Sequence, residues 1–508
     1  MHPATSNQTA DQQRPKPPRG NYFAKARINA LLSSWIFAGL VAEAGLVCGL
    51  WFRWLFFRSF PDPLATPDSW SYLTGTYGLL EKGRFDLFSV RTPGFPLLTW
   101  ITLVVFRSFA ALNLIHGALT LLSALAVAYV IRAFGGKWLL AALALTLLLL
   151  NSHLLFWEHF LMTEGSFHAC FTLALCATAL AILKPTIGRA AIAGTVTAIT
   201  VLIRPQGLFL APLLLLVLIC SGWRLGRRKM LSLIGAASVG MILLLGGWST
   251  RNLFVHGFFG LSNIGPLQIF GVSARWIDLE SPLLAEDKAL IADSIRLYRS
   301  MPEDLGWVQY APDGPAVIIA RKYGNDERRR DEVFNALARE AILHHPLAFI
   351  QRGLSTSFRM MTTKVGDIYY DFTQIVSWDR EWDQLANHFQ VNKYRASLDQ
   401  ARFPMSDRER TFTQGVVPII VWQNVFIRMS LVSVLFALVA LPWLSSRLRL
   451  ATALSAVSVV LLVLSAGFLS DAENRYLAVI HGGSLLAGAL ALTGLCQRWQ
   501  ERRQGDFA

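Results

Sequence analysis

The sequence predicts an all-helical polytopic membrane protein with about ten transmembrane helices, a juxtamembrane first outer loop and a large, mainly helical outer loop domain. Three observations predict it. Hydrophobic residues make up 53% of the 508 positions and charged residues only 16%, which is too apolar for an ordinary soluble chain. The apolar residues gather in runs that approach the length needed to cross a bilayer. The basic residues, in turn, collect at alternate ends of those runs.

A spanning helix takes roughly 20 apolar residues, because each adds about 1.5 Å across a core about 30 Å thick. The runs that qualify, in order, are 31–57, 109–131, 137–151, 160–183, 189–203, 206–221, 230–249, 416–441, 450–469 and 476–495. The first ~27 residues are polar and rich in Pro, Gln and basic residues. The run after them is long enough to span, so it reads as a retained span and not as a cleaved leader. Gly94 to Phe106 is apolar but short, and predicts an interfacial or re-entrant helix. All five cysteines lie in or beside apolar runs, which predicts buried thiols and neither a disulfide framework nor a zinc site.

Sidedness follows from charge. Arg14, Lys16, Arg19, Lys25 and Arg27 precede the first span. Arg132 and Lys137, Lys184 and Arg189, Arg224 to Lys229, Arg447 and Arg449, and Arg498 to Arg503 mark alternate connections. All fall on one face of a ten-span chain, which the positive-inside rule makes cytoplasmic, with both termini there. The expected organisation is a disordered tail at 1–27 and a transmembrane module at 28–250 containing an outer loop at about 58–108. An outer loop domain at 251–415, a second transmembrane module at 416–496 and a cytoplasmic tail at 497–508 follow. Residues 251–415 hold 20 basic and 21 acidic residues, so the net charge of +14 belongs to the membrane edges. Anionic lipid headgroups account for that excess without nucleic acid.

Within the loop domain, Ala285–Met301 and Asp326–His345 carry apolar residues at three- and four-residue spacing and predict amphipathic helices. Leu347–Met361 predicts a further helix along the membrane, with Arg352 and Arg359 toward headgroups. Trp276, Trp307, Tyr310, Tyr369, Tyr370, Trp378 and Trp382, with Asp367, Asp371 and Asp379, suit sugar stacking. They suit a domain core or an interfacial belt better.

Chemistry concentrates just past the first span. Pro67-Asp68-Ser69-Trp70-Ser71-Tyr72 is followed by Lys82-Gly83-Arg84 and then Arg91-Thr92-Pro93-Gly94. Asp68 is placed to cap the next helix. It is equally an acid gathered with bases beside an apolar stretch, where charge is costly unless used. Asp62 reads as a turn residue. Glu158 and Glu164 stand six apart, nearly on opposite sides of a helix, and cannot form one carboxylate pair. His153, His159 and His168 on the same stretch form no clean metal set with them.

The run from Pro67 to Ile101, with Asp68, Lys82 and Arg91, resembles the GT-C superfamily of integral-membrane glycosyltransferases. Within it, the likeness is to the bacterial branch related to protein O-mannosyltransferases and lipid A aminoarabinose transferases. Three further stretches agree in order: "FLMTEGSF" with Glu164, Gly246–Gly271 with Arg251, and "SDAENRYLAVI" with Glu473 and Arg475. The resemblance implies transfer of a sugar from a polyprenyl-phosphate donor to a lipid, glycan or protein acceptor, on the periplasmic face of a bacterial inner membrane. It implies Asp68 as catalytic base, Arg91 and Arg475 as donor phosphate ligands, and Tyr72, Lys82, Glu164, Arg204, Arg251 and Glu473 as substrate contacts. Some relatives use a divalent cation, so Mg or Mn at Asp68 and a second acid is an alternative it allows. Against this enzyme stand a transporter or lipid flippase, suggested by intramembrane Arg53 and Arg428, and a non-catalytic envelope-assembly subunit.

Overall fold

The computed structural model describes residues 35–85, 91–301, 311–324, 326–362, 371, 372, 375, 379–469 and 474–505. The expected tail at 1–27, and Trp307, Tyr310, Asp367, Tyr369, Tyr370, Trp378 and Glu473, lie outside these residues.

The described chain is helical from end to end. Through the first module run α1 (Trp35–Ser59), α2 (Ser69–Lys82), α3 (Gly94–Phe106), α4 (Ala110–Ala133), α5 (Trp138–Leu149), α6 (Ser152–Trp157), α7 (Glu164–Leu183) and α8 (Ile187–Ile203). α9 (Pro205–Gly222) and α10 (Arg227–His256) complete it. The stretch 251–415 supplies α11 (Ile264–Ser273), α12 (Ala285–Ser300), α13 (Pro315–Tyr323), α14 (Glu327–His344), α15 (Pro346–Thr362) and α16 (Asp379–Phe389). Last come α17 (Met405–Trp443), α18 (Ser446–Leu469) and, after a 3-10 segment at Asn474–Ile480, α19 (His481–Gly505). The tail expected at 497–508 is therefore mostly a continuation of α19, held where Gln497 donates to the Phe134 carbonyl at 2.9 Å.

Eight of these helices are long and apolar enough to cross a bilayer, and they coincide with eight of the ten expected runs. The other two, α5 and α8, are shorter apolar helices. α5 stops early because Asn151 accepts from the Leu154 amide at 3.0 Å and starts α6. The exposed apolar residues of α1, among them Trp35, Leu40, Val47, Leu50 and Trp51, would be costly in water and suit hydrocarbon. α7 is the central helix, buried over 78% of its apolar window against 17% for α1. Cys170 and Cys176 on α7 are buried as expected, whereas Cys48, Cys220 and Cys496 are exposed on peripheral faces of their helices.

The two long connections, at about 58–108 and 251–415, pack against each other. Asp62 is more than a turn residue: its carboxylate accepts from the Ala396 and Ser397 amides and the Ser397 hydroxyl, at 3.0, 2.8 and 2.6 Å. Trp382 donates to the Pro63 carbonyl at 2.7 Å and is buried, as a core residue should be. α12 and α14 start and stop within a residue or so of expectation, with Asp326 capping α14. α15 differs. Its first arginine does not point outward, because Arg352 is 7% exposed and donates to the Gly467 carbonyl at the end of α18. Gly353 leaves room there for Phe468, so α15 packs along the last turns of α18.

Candidate active site

Asp68 occupies the N-cap position of α2, yet its side chain makes no capping bond. Its two oxygens go instead to two arginines. Arg91 Nη2 donates to Oδ1 at 3.1 Å and Arg475 Nη1 to Oδ2 at 3.0 Å. Burial pushes the Asp68 carboxyl up, but Arg475 and then Arg91 outweigh it and hold the group below the ordinary carboxylate value. The side chain is still 40% exposed, so a hydroxyl group can reach it.

Local sequence explains how the first arginine arrives. α2 ends at Gly83, whose φ of 63° is left-handed and lets the chain reverse. The chain then returns through Arg91-Thr92-Pro93 to Gly94. A Cβ on Gly94 would collide with the backbone at Leu202 and Ile203, so only glycine lets α3 start against the end of α8. Thr92 donates to the Ile203 carbonyl at 3.4 Å across the same contact. Arg91 is then fixed on three sides, donating to Ser71 Oγ at 2.7 Å and Tyr72 OH at 3.1 Å as well as to Asp68. Its guanidinium lies 4.4 Å from the centre of the Tyr72 ring.

The next residue along that contact, Arg204, brings a second acid. Arg204 Nη1 donates to Glu164 Oε1 at 2.8 Å and to Thr163 Oγ1 at 3.3 Å. Glu164 is 1% exposed, and its other oxygen is buried without a partner. Tyr476 links the two halves, with Arg204 and Arg475 at 5.0 and 5.2 Å from its ring centre. Three guanidiniums thus face two carboxylates, and the cluster carries an excess of positive charge.

Asp68, Tyr72, Arg91, Glu164, Arg204 and Arg475 are brought together. Lys82 is not: it ends α2, about 21 Å along the helix from Asp68. Nor is Arg251: it donates to the Phe85 carbonyl, just past the far end of α2, is engaged with Asn252 and His256, and sits over Trp248. Glu158 is apart from Glu164, as expected, and pairs with Arg53 at 3.0 Å. Ser71 and Tyr476 were missed; Tyr476 was legible as the neighbour of Arg475, while nothing local marks Ser71. Among the described residues no group of three or more His, Cys, Asp or Glu could hold a metal. With a guanidinium at each Asp68 oxygen, and Arg204 on Glu164, the donor set among the described residues does not fit Mg or Mn.

No family model matches the chain, and no curated protein matches it. Two solved structures align over most of it. One is the archaeal oligosaccharyltransferase AglB from Archaeoglobus fulgidus, in complex with an inhibitory peptide and a dolichol-phosphate. It is 12% identical, with a TM-score of 0.37, over 91% of this chain and 51% of that one. The chain thus spans about half the length of that protein. The other is ArnT from Cupriavidus metallidurans bound to undecaprenyl phosphate, 15% identical, with a TM-score of 0.31, over 89% of this chain and 76% of that one. TM-scores this low assign this chain neither a fold family nor an activity.

Proposed function

We propose that the protein is an inverting glycosyltransferase that moves a sugar from a polyprenyl-phosphate donor to a lipid, glycan or protein hydroxyl at the outer face of the membrane. The observation that carries this is one carboxylate, reachable by solvent, shared between two arginines with a third alongside. Arg91 and Arg475 bind the donor phosphate through paired N–H groups. Asp68 takes the acceptor's proton as that oxygen bonds to the anomeric carbon. The carbon–phosphate oxygen bond breaks on the opposite side, and its electron pair leaves on a phosphate that the arginines stabilise.

Asp68 held low by two cations is a weak base. Donor phosphate competes for the same N–H groups, so its arrival loosens both arginines from Asp68 and raises the carboxylate's affinity for a proton. Donor binding therefore activates the base, and acceptor attack waits for it.

The test is transfer by purified protein in vesicles supplied with hexosyl- and pentosyl-linked polyprenyl phosphates and an extract of envelope acceptors. Arg91→Ala should weaken donor use by roughly 1.5–3 kcal/mol, the worth of a charge-assisted hydrogen bond. Arg91→Lys should recover only part, because one ammonium cannot replace a fork that meets Ser71, Tyr72 and Asp68 together. A wild-type protein that transfers none of these sugars would remove the proposal.

The same proposal puts residues 251–415 on the periplasmic side of the inner membrane and both termini in the cytoplasm. A reporter active only outside the cytoplasm should be active when fused at Asp313 and silent at Arg227. The opposite pattern would place Asp68 on the cytoplasmic face and overturn this topology.

A further inference from the structure

We propose that the buried Arg53–Glu158 ion pair is a positioning device for Asp68, an inference that rests on the catalytic reading above. Arg53 grips Glu158 with both arms, Nε to Oε2 at 3.1 Å and Nη2 to Oε1 at 3.0 Å. Its remaining arm ties down α1 and the end of α5, through the Gly49 and Leu149 carbonyls at 3.1 and 3.0 Å. From α4, Thr120 donates to Glu158 Oε1 at 2.5 Å, and His116 Nδ1 donates to the Glu158 carbonyl at 2.8 Å. The Arg53–Glu158 pair is thereby fixed to three helices at once, α1, α4 and α5.

The residues directly after Glu158, from His159 to Glu164, lead to the site. The Leu64 amide donates to the His159 carbonyl at 2.6 Å, and the Leu161 amide returns to the Leu64 carbonyl at 2.9 Å. These make the isolated bridge between Leu64 and Phe160. Ser69 Oγ donates to the Leu161 carbonyl at 3.0 Å, placing the residue after Asp68 directly on this stretch. Met162 Sδ meets Arg475 at 3.7 Å, and Thr163 and Glu164 hold Arg204. Seven consecutive residues, 158–164, thus carry contacts to the Asp68 loop and to two of the three arginines. The end of that stretch remote from the chemistry is locked by the Arg53–Glu158 pair, as the near end is by Arg204–Glu164.

A buried ion pair commonly returns less than its desolvation costs, and an apolar pair of similar volume would hold the helices as well. What an apolar pair lacks is direction. The arginine fork sets the orientation of the Glu158 carboxylate, and with it the course of the segment that Leu64 joins.

The test is the double variant Arg53→Met/Glu158→Leu in the full chain, which removes both charges together and should insert and fold. Three quantities are read: sugar transfer, binding of farnesyl phosphate, and amide exchange across residues 61–72. Expected are a loss of transfer of about 10²-fold, in line with an ångström-scale misplacement, unchanged farnesyl phosphate binding, and faster exchange confined to 61–72. Wild-type transfer with unchanged exchange would overturn the proposal. If the wild-type protein transfers no sugar, the catalytic reading fails by itself and exchange at 61–72 alone decides whether the pair positions this loop. Should the double variant not fold, Glu158→Gln is read the same way, and exchange that rises everywhere or nowhere in it overturns the proposal.

Discussion

Asp68→Asn is expected to lower sugar transfer by roughly 10²–10⁴-fold, the usual worth of general acid–base catalysis, with insertion intact. The substitution keeps the size of the side chain and removes its ability to accept a proton. A capping role predicts little change for Asn, and the Asp68 side chain makes no capping bond to lose. Farnesyl phosphate should bind Asp68→Asn at least as well as wild type, because Arg91 and Arg475 lose their competing carboxylate. Retained wild-type transfer in a purified Asp68→Asn protein would end the mechanism.

The same variant carries a pH signature. The folded carboxyl lies below its ordinary value of 3.8, so its ion pairs stabilise the protein fully above that value. They are lost only as pH falls through the lower folded value. Any difference in melting between wild type and Asp68→Asn should therefore be present at neutral pH and disappear only in strong acid. A difference that vanishes near pH 6 would point to another group.

Arg204→Ala is expected to produce the largest loss of stability, about 3–5 kcal/mol, as when one partner of a buried pair is removed. Glu164 is 1% exposed and one of its oxygens already lacks a partner, so without Arg204 its charge has little left to compensate it. Adding Glu164→Gln to Arg204→Ala should recover much of the loss by removing the stranded charge. Thermal unfolding in lipid nanodiscs reads both. An Arg204→Ala protein that melts with wild type would mean that water reaches Glu164 and that the pair contributes little.

Much of the architecture could be read without coordinates because it depends on local properties. Run length marked the spans, with α5 shorter than its run and α8 close to it, and three- and four-residue spacing marked α12 and α14. The charge pattern also placed Asp68, Arg91, Arg204, Arg475 and Glu164 toward one end of the bundle, since each follows or precedes a span on the same side.

What the tertiary structure alone decided is which of those residues meet. Arg475 reaches Asp68 across 407 positions, and Arg53 reaches Glu158 across 105. Lys82, near in sequence, ends far along α2, and Arg352 is buried where an outward arginine was expected. Periodicity and charge act along the chain and determine what each helix is and how it faces the bilayer. Pairing acts across the chain, through close approaches such as Gly94 against Ile203 and the bridge from Leu64 to Phe160. Those contacts are set by how helix ends pack, and no single segment contains them.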